Sequence, residues 1–368
     1  MRAPATGVSM HRALRLSPRR SFSFQVLADA RARRVAEMLL SGYSGIWQLP
    51  IWPDRQMLSA PLSSGAVSIP CITSGYDFSA GGKALLYGDV NVFEIVTVDS
   101  VASDHIGLAS ATVATWPRGT SLYPLRAARV QDGATERLQT DDLGLRSLVF
   151  DIVESCDSPS LAPPTLYLTH PVLDRRPDES DDPSASVSRK LQSVDYGQAV
   201  PVVVDAPRVG FGMRQLHWQL YGRAEHSWFR SLAYTLAGRS QPIWVPSWTS
   251  DLKPVAAVAG GSATMAVEWA GYTLFGKNKA NRKDVRIELN DGTVFYRRIN
   301  NAIEAGATET LTLSSSLSGS SIAPAQIRAI SFMALSTLAS DSVELQHETD
   351  ADGIATATTS FQAVVPDV

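Results

Sequence analysis

The feature that most limits what this chain can fold into is an order of elements written twice. In "FSFQV" the residues Phe22, Phe24 and Val26 alternate as on a half-buried strand. Ala32, Val35, Ala36 and Leu39 then recur at i, i+3, i+4 and i+7, the spacing of an amphipathic helix. Gly42 follows, placed to end that helix in a left-handed cap, and "IWQLPIWPD" comes next with Trp47, Pro50, Trp52 and Asp54. Further along, "LHWQL" alternates Leu216, Trp218 and Leu220, helical spacing returns at Phe229, Leu232, Ala233 and Leu236, and Gly238 leads into "PIWVPSWTSD" with Trp244, Pro246, Trp248 and Asp251. From each glycine to the second tryptophan of its corner is ten residues.

The correspondence continues more loosely downstream. "VNVFEIVTV" follows the turn signal Gly88-Asp89, and "VRIELNDGTVFYRRI" reads as a hairpin in which Asp291-Gly292 supplies the positive φ angles of a primed turn. One segment ends at Pro124 and its counterpart at Pro324, and each copy closes on a strand, "LVFDIV" with Phe150 and Ile152, "TSFQAVV" with Phe361 and Ala363. The expected fold is mainly β with one helix per unit (α+β), made of two related β-sandwich or barrel-like units from internal duplication. Residues 1–19 form an amino-terminal basic segment, 20–155 the first unit and 210–368 the second. Residues 156–209 connect them and include the acidic, proline-broken stretch 174–190, expected to be a solvated loop.

Bulk properties narrow the function classes. A chain of 368 residues has ample material for two cores, and a net charge of −3 points to neither a nucleic-acid nor a membrane partner. Cys71 and Cys156 are the only cysteines, too few for a disulfide framework or a thiolate metal site, which suits synthesis in a reducing cytoplasm. Residues 1–34 carry eight arginines against one acid, as a transit peptide would, but the arginines run on into segments patterned like folded elements. No apolar run approaches the ~18 residues of a membrane span.

Chemistry-bearing patterns are sparse. The six histidines, His11, His105, His170, His217, His226 and His347, never fall three or four residues apart, so no metal is expected. "VGFGMR" lacks the third glycine of a dinucleotide fingerprint, and "GYSG" lacks the spacing of a nucleophile elbow, so no cofactor and no catalytic residue is expected. Asp54 or Asp251 could join another acid in a glycosidase pair, but an acid just after a tryptophan in a turn more simply caps backbone or faces water. The tryptophans could stack on sugars or plug a sheet crossing, and their occurrence in both copies favours the structural role, with Trp47, Trp52, Trp244 and Trp248 buried.

The stretches "ALRLSPRRSFSFQVLADARARRVAEMLL", "WQLPIWPD" and "RAEHSWFRSLAYTLAGRSQPIWVPSWTSDL" resemble structural proteins encoded in the tail gene clusters of long-tailed bacteriophages, of the tail, tail-assembly or distal-tail type. The resemblance covers both tryptophan corners and the helices before them. It implies a non-enzymatic virion protein, made and assembled in the host cytoplasm, that forms a trimeric or hexameric ring. Its partners would be the tail tube protein, a hub or other tail-tip proteins, and it would join the tube to the tip or baseplate. Tail tubes are six-fold and tips often three-fold, so a chain with two similar units could close as a trimer with six similar surfaces. The alternatives are a glycan-binding or glycan-cleaving module and a baseplate hub.

Overall fold

A computed structural model describes residues 12–15, 17–132, 134–155, 163, 165–179, 183–189, 191–198, 200–205, 208, 210–349 and 353–364. Most of the amino-terminal basic segment, and Asp181 and Asp182 of the acidic stretch, therefore lie outside the described residues.

The first half opens with strand β1 (Ser21–Asp29) and helix α1 (Ala30–Gly42). Nine strands follow: β2 (Trp47–Pro50), β3 (Gln56–Met57), β4 (Ser68–Pro70), β5 (Lys83–Asp89), β6 (Val92–Val101), β7 (His105–Leu108), β8 (Ser121–Val130), β9 (Thr135–Leu138) and β10 (Leu143–Ile152). The connecting region holds β11 (Leu166–Tyr167), β12 (His170–Pro171), β13 (Ser184–Ser188), β14 (Leu191–Val194) and β15 (Val202–Asp205). The second half begins with β16 (Phe211–Tyr221) and α2 (Gly222–Leu236). It continues through β17 (Ile243–Pro246), β18 (Thr264–Glu268), β19 (Asp284–Leu289), β20 (Val294–Ala305), β21 (Thr308–Leu313), β22 (Ile327–Leu338), β23 (Leu345–His347) and β24 (Ile354–Ala363).

All but β11, β12, β14 and β15, which pair two by two, join two large antiparallel sheets, so the protein is mainly β. The first sheet runs β1-β10-β8-β5-β6-β7-β4 and the second β13-β16-β24-β22-β19-β20-β21-β18. Apart from the added β13, the second order repeats the first strand for strand. In each half the strand after the helix also pairs at the same place, β2 on β8 and β17 on β22.

Register makes the correspondence residue-specific. Ser21 to Asp29 pair with Asp151 to Leu143, and Met213 to Tyr221 pair with Gln362 to Ile354. Phe150 and Phe361 thus occupy the same position. Pro50 faces Leu125 and Pro246 faces Met333, and the residue after each proline donates its N–H to the next carbonyl along, Ile51 to Pro124 and Ser247 to Phe332. At each strand-to-helix junction a residue with positive φ turns the chain, Ala30 at 34° and Gly222 at 70°, and donates to the carbonyl just before the neighbouring strand, Asp142 or Gly353.

Several sequence expectations shift in this frame. By register Phe24 matches Leu216 and Val26 matches Trp218, so the two alternating triplets overlap with an offset of two that keeps every side chain on its face. Pro124 sits inside β8 whereas Pro324 opens the 3-10 turn before β22, so those prolines are not equivalent. In the Asn290-Asp291-Gly292 loop only Gly292 has positive φ, at 86°, because a longer loop closed by the Leu289 carbonyl needs a single left-handed residue. Gly42 ends α1 without a left-handed turn and the following Tyr43 is extended. Ala237 and Gly238, at 46° and 64°, do cap α2 that way.

The connecting region is more than a solvated loop. Ser184–Ser188 adds an edge strand to β16, the Asp178 N–H bonds the His217 carbonyl, and Leu173 bonds Trp244. Val172 and Leu173 are wholly buried against the second half, an apolar anchor that the acidic residues downstream obscure. β14 and β15 continue as a separate, exposed hairpin.

Candidate functional site

The two tryptophan corners are built differently. In the second, Trp244 is fully buried between Val172, Met333 and Leu335 and donates its indole N–H to the Tyr167 carbonyl at 2.8 Å. Trp248, at φ 60°, is buried under the Arg286 guanidinium, 4.8 Å from the ring centroid. Asp251 accepts the Ser247 hydroxyl, the Thr249 hydroxyl at 2.9 Å and the Phe332 N–H at 2.8 Å, so it ties its own turn together and to β22.

In the first corner, Trp47 is half-buried against Phe150 and Tyr43, but Trp52 is 55% exposed, contrary to the expectation that all four indoles are buried. The cause lies in the turn. Pro53 bends Trp52–Asp54 into a 3-10 turn that sends the indole outward and Asp54 inward.

Asp54 is 1% exposed, and it neither caps its own turn nor faces water. One oxygen accepts the Asp77 N–H at 2.6 Å and Arg230 of α2 at 3.5 Å, and the other accepts Arg223 of the same helix at 2.7 Å. Arg223 also donates to the Pro53 carbonyl and lies over the Tyr76 ring, 4.4 Å from its centroid, while Arg230 donates to the Gly75 carbonyl at 2.7 Å. The second unit's helix is thereby pinned on the first unit's corner. Behind it, Arg126 grips Asp77 through two nitrogens, at 2.7 and 3.2 Å, and Arg20 adds a third contact at 2.7 Å. Burial by itself would raise the Asp77 carboxyl, but the two arginines outweigh it and hold it below the ordinary carboxylate value.

Gly75 explains how close the helix comes. Its φ is 78°, and a Cβ there would lie 3.1 Å from that of Ser227. Arg223, Ser227 and Arg230, spaced i, i+4 and i+7, form the stripe of α2 that meets the corner. These partners lie far apart in the sequence, and the only local signal of the contact was a Pro-Asp turn with no helix of its own to cap.

The matching surface on the second unit is reached from the same landmarks. Thr264 pairs with β21 as Ser68 pairs with β7, and Gly271-Tyr272, with Gly271 at φ 73°, answers to Gly75-Tyr76. Here the chain makes a five-residue π turn, Tyr272–Gly276, held by Glu309. That carboxylate accepts the N–H groups of Thr273, Ala270 and Tyr272 at 2.6, 3.1 and 3.1 Å. Burial would raise Glu309, but those hydrogen bonds hold it below the ordinary value. Beside the turn is an open recess of about 220 Å3 lined by Asp251, Tyr272, Phe275 and Arg282 among others. It is smaller than the ~300–1,000 Å3 usual for small-molecule sites, and along the same stretch of chain Trp269, Leu274 and Phe275 are exposed.

Among the described residues no group of three or more His, Cys, Asp and Glu is placed to hold a metal ion. No helix among them is long and apolar enough to cross a membrane. The arrangement holds protein surfaces together: every strong polar contact at the junction joins one part of the chain to another. No protein-family model matches the chain, and no curated protein matches it.

Proposed function

We propose that the protein is a structural component of a bacteriophage tail, at its distal end, and that it works by assembling into a closed ring of three or six copies that joins the tail tube to the tip or baseplate. We also infer that its two halves arose by internal duplication, which accounts for the shared strand order and register.

The observation that carries the reading is the junction itself. α2 docks on the first unit's corner through the Asp54, Arg223 and Arg230 cluster, a contact between unlike faces of two like units. Contacts of that kind, repeated from copy to copy, generate rings when the rotation closes. The proposed partners are further copies and the neighbouring tail tube, hub and tip proteins, and the tryptophan corners serve as scaffold. Light scattering after size exclusion, with negative-stain imaging, tests this: the expected mass is three or six times 39.7 kDa, in closed rings. A monomer at high concentration overturns the ring.

The exposed face of Trp52 favours a second reading, a glycan-binding surface. Quenching of its fluorescence by an oligosaccharide, lost in Trp52→Ala, would support that reading, and unchanged fluorescence would remove it.

A further inference from the structure

Helix α1 is the counterpart of α2, yet none of its residues is buried. Aligned on the positive-φ junctions Ala30 and Gly222, the stripe Arg223, Ser227 and Arg230 corresponds to Arg31, Val35 and Met38. All three are exposed, Val35 at 48% and Met38 at 69%. The face that α2 spends on the first unit's corner is, on α1, turned outward and largely apolar.

The surface this face would fit is the second unit's corner, and the differences run in step. Where the first corner has Asp54, the second has Ser250, so no buried carboxylate awaits an arginine. Where α2 has Arg230, α1 has Met38. Where Ser227 lies over Gly75, Phe275 lies over Gly271, 3.0 Å from the place a Cβ would take and 75% exposed. A polar helix stripe meets a charged corner inside the chain, and an apolar stripe and an apolar corner both stand at the surface. Exposed apolar patches of this kind mark interaction sites. Glu309 keeps the π turn in one shape, so the patch is formed before anything docks.

We propose that α1 of one copy docks on the π-turn surface of the second unit of the next, Val35 and Met38 packing against Trp269, Leu274 and Phe275, in a pose like that of α2 on the first corner but seated on the Phe275 ring that covers Gly271. The occupant is a second copy of this chain, because the internal contact already supplies the pose and only a second copy brings an α1-type helix to that corner. The ring then alternates two contacts: a charged one within each copy and an apolar one between copies. This rests on the ring reading and names the surfaces that close it.

The test uses the full chain. Met38→Glu and Phe275→Glu alter exposed side chains, so circular dichroism and the unfolding midpoint should stay as in the unmodified protein. Each should weaken assembly at least tenfold by light scattering across a dilution series, and Met38→Glu combined with Phe275→Lys should recover part of the loss. As a second measurement, copies carrying Val35→Cys are mixed with copies carrying Phe275→Cys, all with Cys156→Ser. Disulfide-linked pairs should form in the mixture and not in either variant alone, since burial pushes the Cys71 thiol up to about 11 and leaves it a poor competitor. If the unmodified chain is monomeric, both the ring and this contact fall. If it assembles and both glutamate variants assemble as well, without mixed disulfides, the ring stands and α1 is not its closing element.

Discussion

The helix-on-sheet layers of the two units share strand order, register and junction geometry, and differ in how they are held. Behind α2, Phe229, Leu232 and Leu236 join Leu216, Trp218, Leu220, Val245 and Phe361 in a continuous buried core. Behind α1 the buried cluster is Leu49, Ala128 and Phe150, with partly buried side chains such as Phe22, Phe24, Trp47 and Leu148 packed against it. α1 is tied down by ions instead, Arg146 to Glu37 and Glu136, Arg33 to Glu136 at 3.7 Å and Arg34 to Asp142 at 3.3 Å. Partly exposed pairs contribute about 0–1 kcal/mol each, against 1.5–3 kcal/mol for burying one large aliphatic side chain. The same architecture therefore carries a firm layer and a loose one, and the loose one is the layer whose outer helix has no buried residue among those described.

The largest effects should come from testing that contrast in the cores. Trp248→Ala and Trp244→Ala should each destabilise by ~3–5 kcal/mol in urea or guanidinium unfolding, the range for emptying an aromatic core site, whereas Trp52→Ala should stay within ~1 kcal/mol. The matched aliphatic pair sharpens it further: Leu232→Ala should cost ~2–5 kcal/mol and Leu40→Ala much less. Equal losses at Leu40 and Leu232 would mean the first layer is packed in solution.

Next comes the junction. Asp54→Asn leaves Arg223 and Arg230 facing a neutral group, and breaking a buried pair costs about 3 kcal/mol or more. Asp251→Asn weakens hydrogen bonds within its own turn and to the adjacent β22, all inside the second unit, at about 1–2 kcal/mol. If the two variants unfold alike, the first corner is no more committed to the second unit than the second corner is to itself.

A pH profile separates the layers without mutation. His347 is pushed down to about 4, first by burial and then by the positive neighbours His226, Arg223 and Arg230. Its ring stands edge-on to that of His226, 5.3 Å between centroids, on the α2 side of the molecule. The unfolded chain takes up this proton near pH 6.5, the folded chain only near 4. Stability should therefore decline as pH falls from 6.5 towards 4 and gain no further loss from this group below that. His347→Gln should flatten the decline, and a profile unchanged by that substitution would place the titration elsewhere.

Much of this contrast was beyond the reach of sequence reading, for identifiable reasons. The strand, helix and corner order was legible because alternation and the 3.6-residue period each leave a pattern over many residues. The offset of two between the triplets Phe22-Phe24-Val26 and Leu216-Trp218-Leu220 was not, since a strand shifted by two keeps its faces. Val35 and Leu39 have the spacing of a buried stripe, yet both are exposed, because an apolar stripe looks the same whether it faces the chain's own sheet or a neighbour. Asp54 finds Arg223 and Arg230 across nearly half the chain, and no local pattern records a contact of that range. A buried Trp52 does not follow from the motif it shares with the second corner, because Pro53 inverts which side chain points inward.

The smallest effect lies in the two strand-to-helix junctions, which perform the same turn with different residues. Each must take a positive φ, because the chain turns from the end of a strand into the helix while its N–H bonds the Asp142 or Gly353 carbonyl. Gly222 does so without steric cost, but Ala30, at φ 34°, brings its Cβ against the backbone. Ala30→Gly should relieve that strain, partly offset by the greater freedom of glycine in the unfolded chain, for a net gain of up to ~1 kcal/mol. Gly222→Ala should lose about as much or more, since that junction fixes the angle at which α2 reaches Asp54. Thermal and denaturant midpoints on both variants decide the matter. A loss on Ala30→Gly would mean that the methyl group contributes packing that outweighs its strain, and the junction of the loose layer would then be its best-packed point.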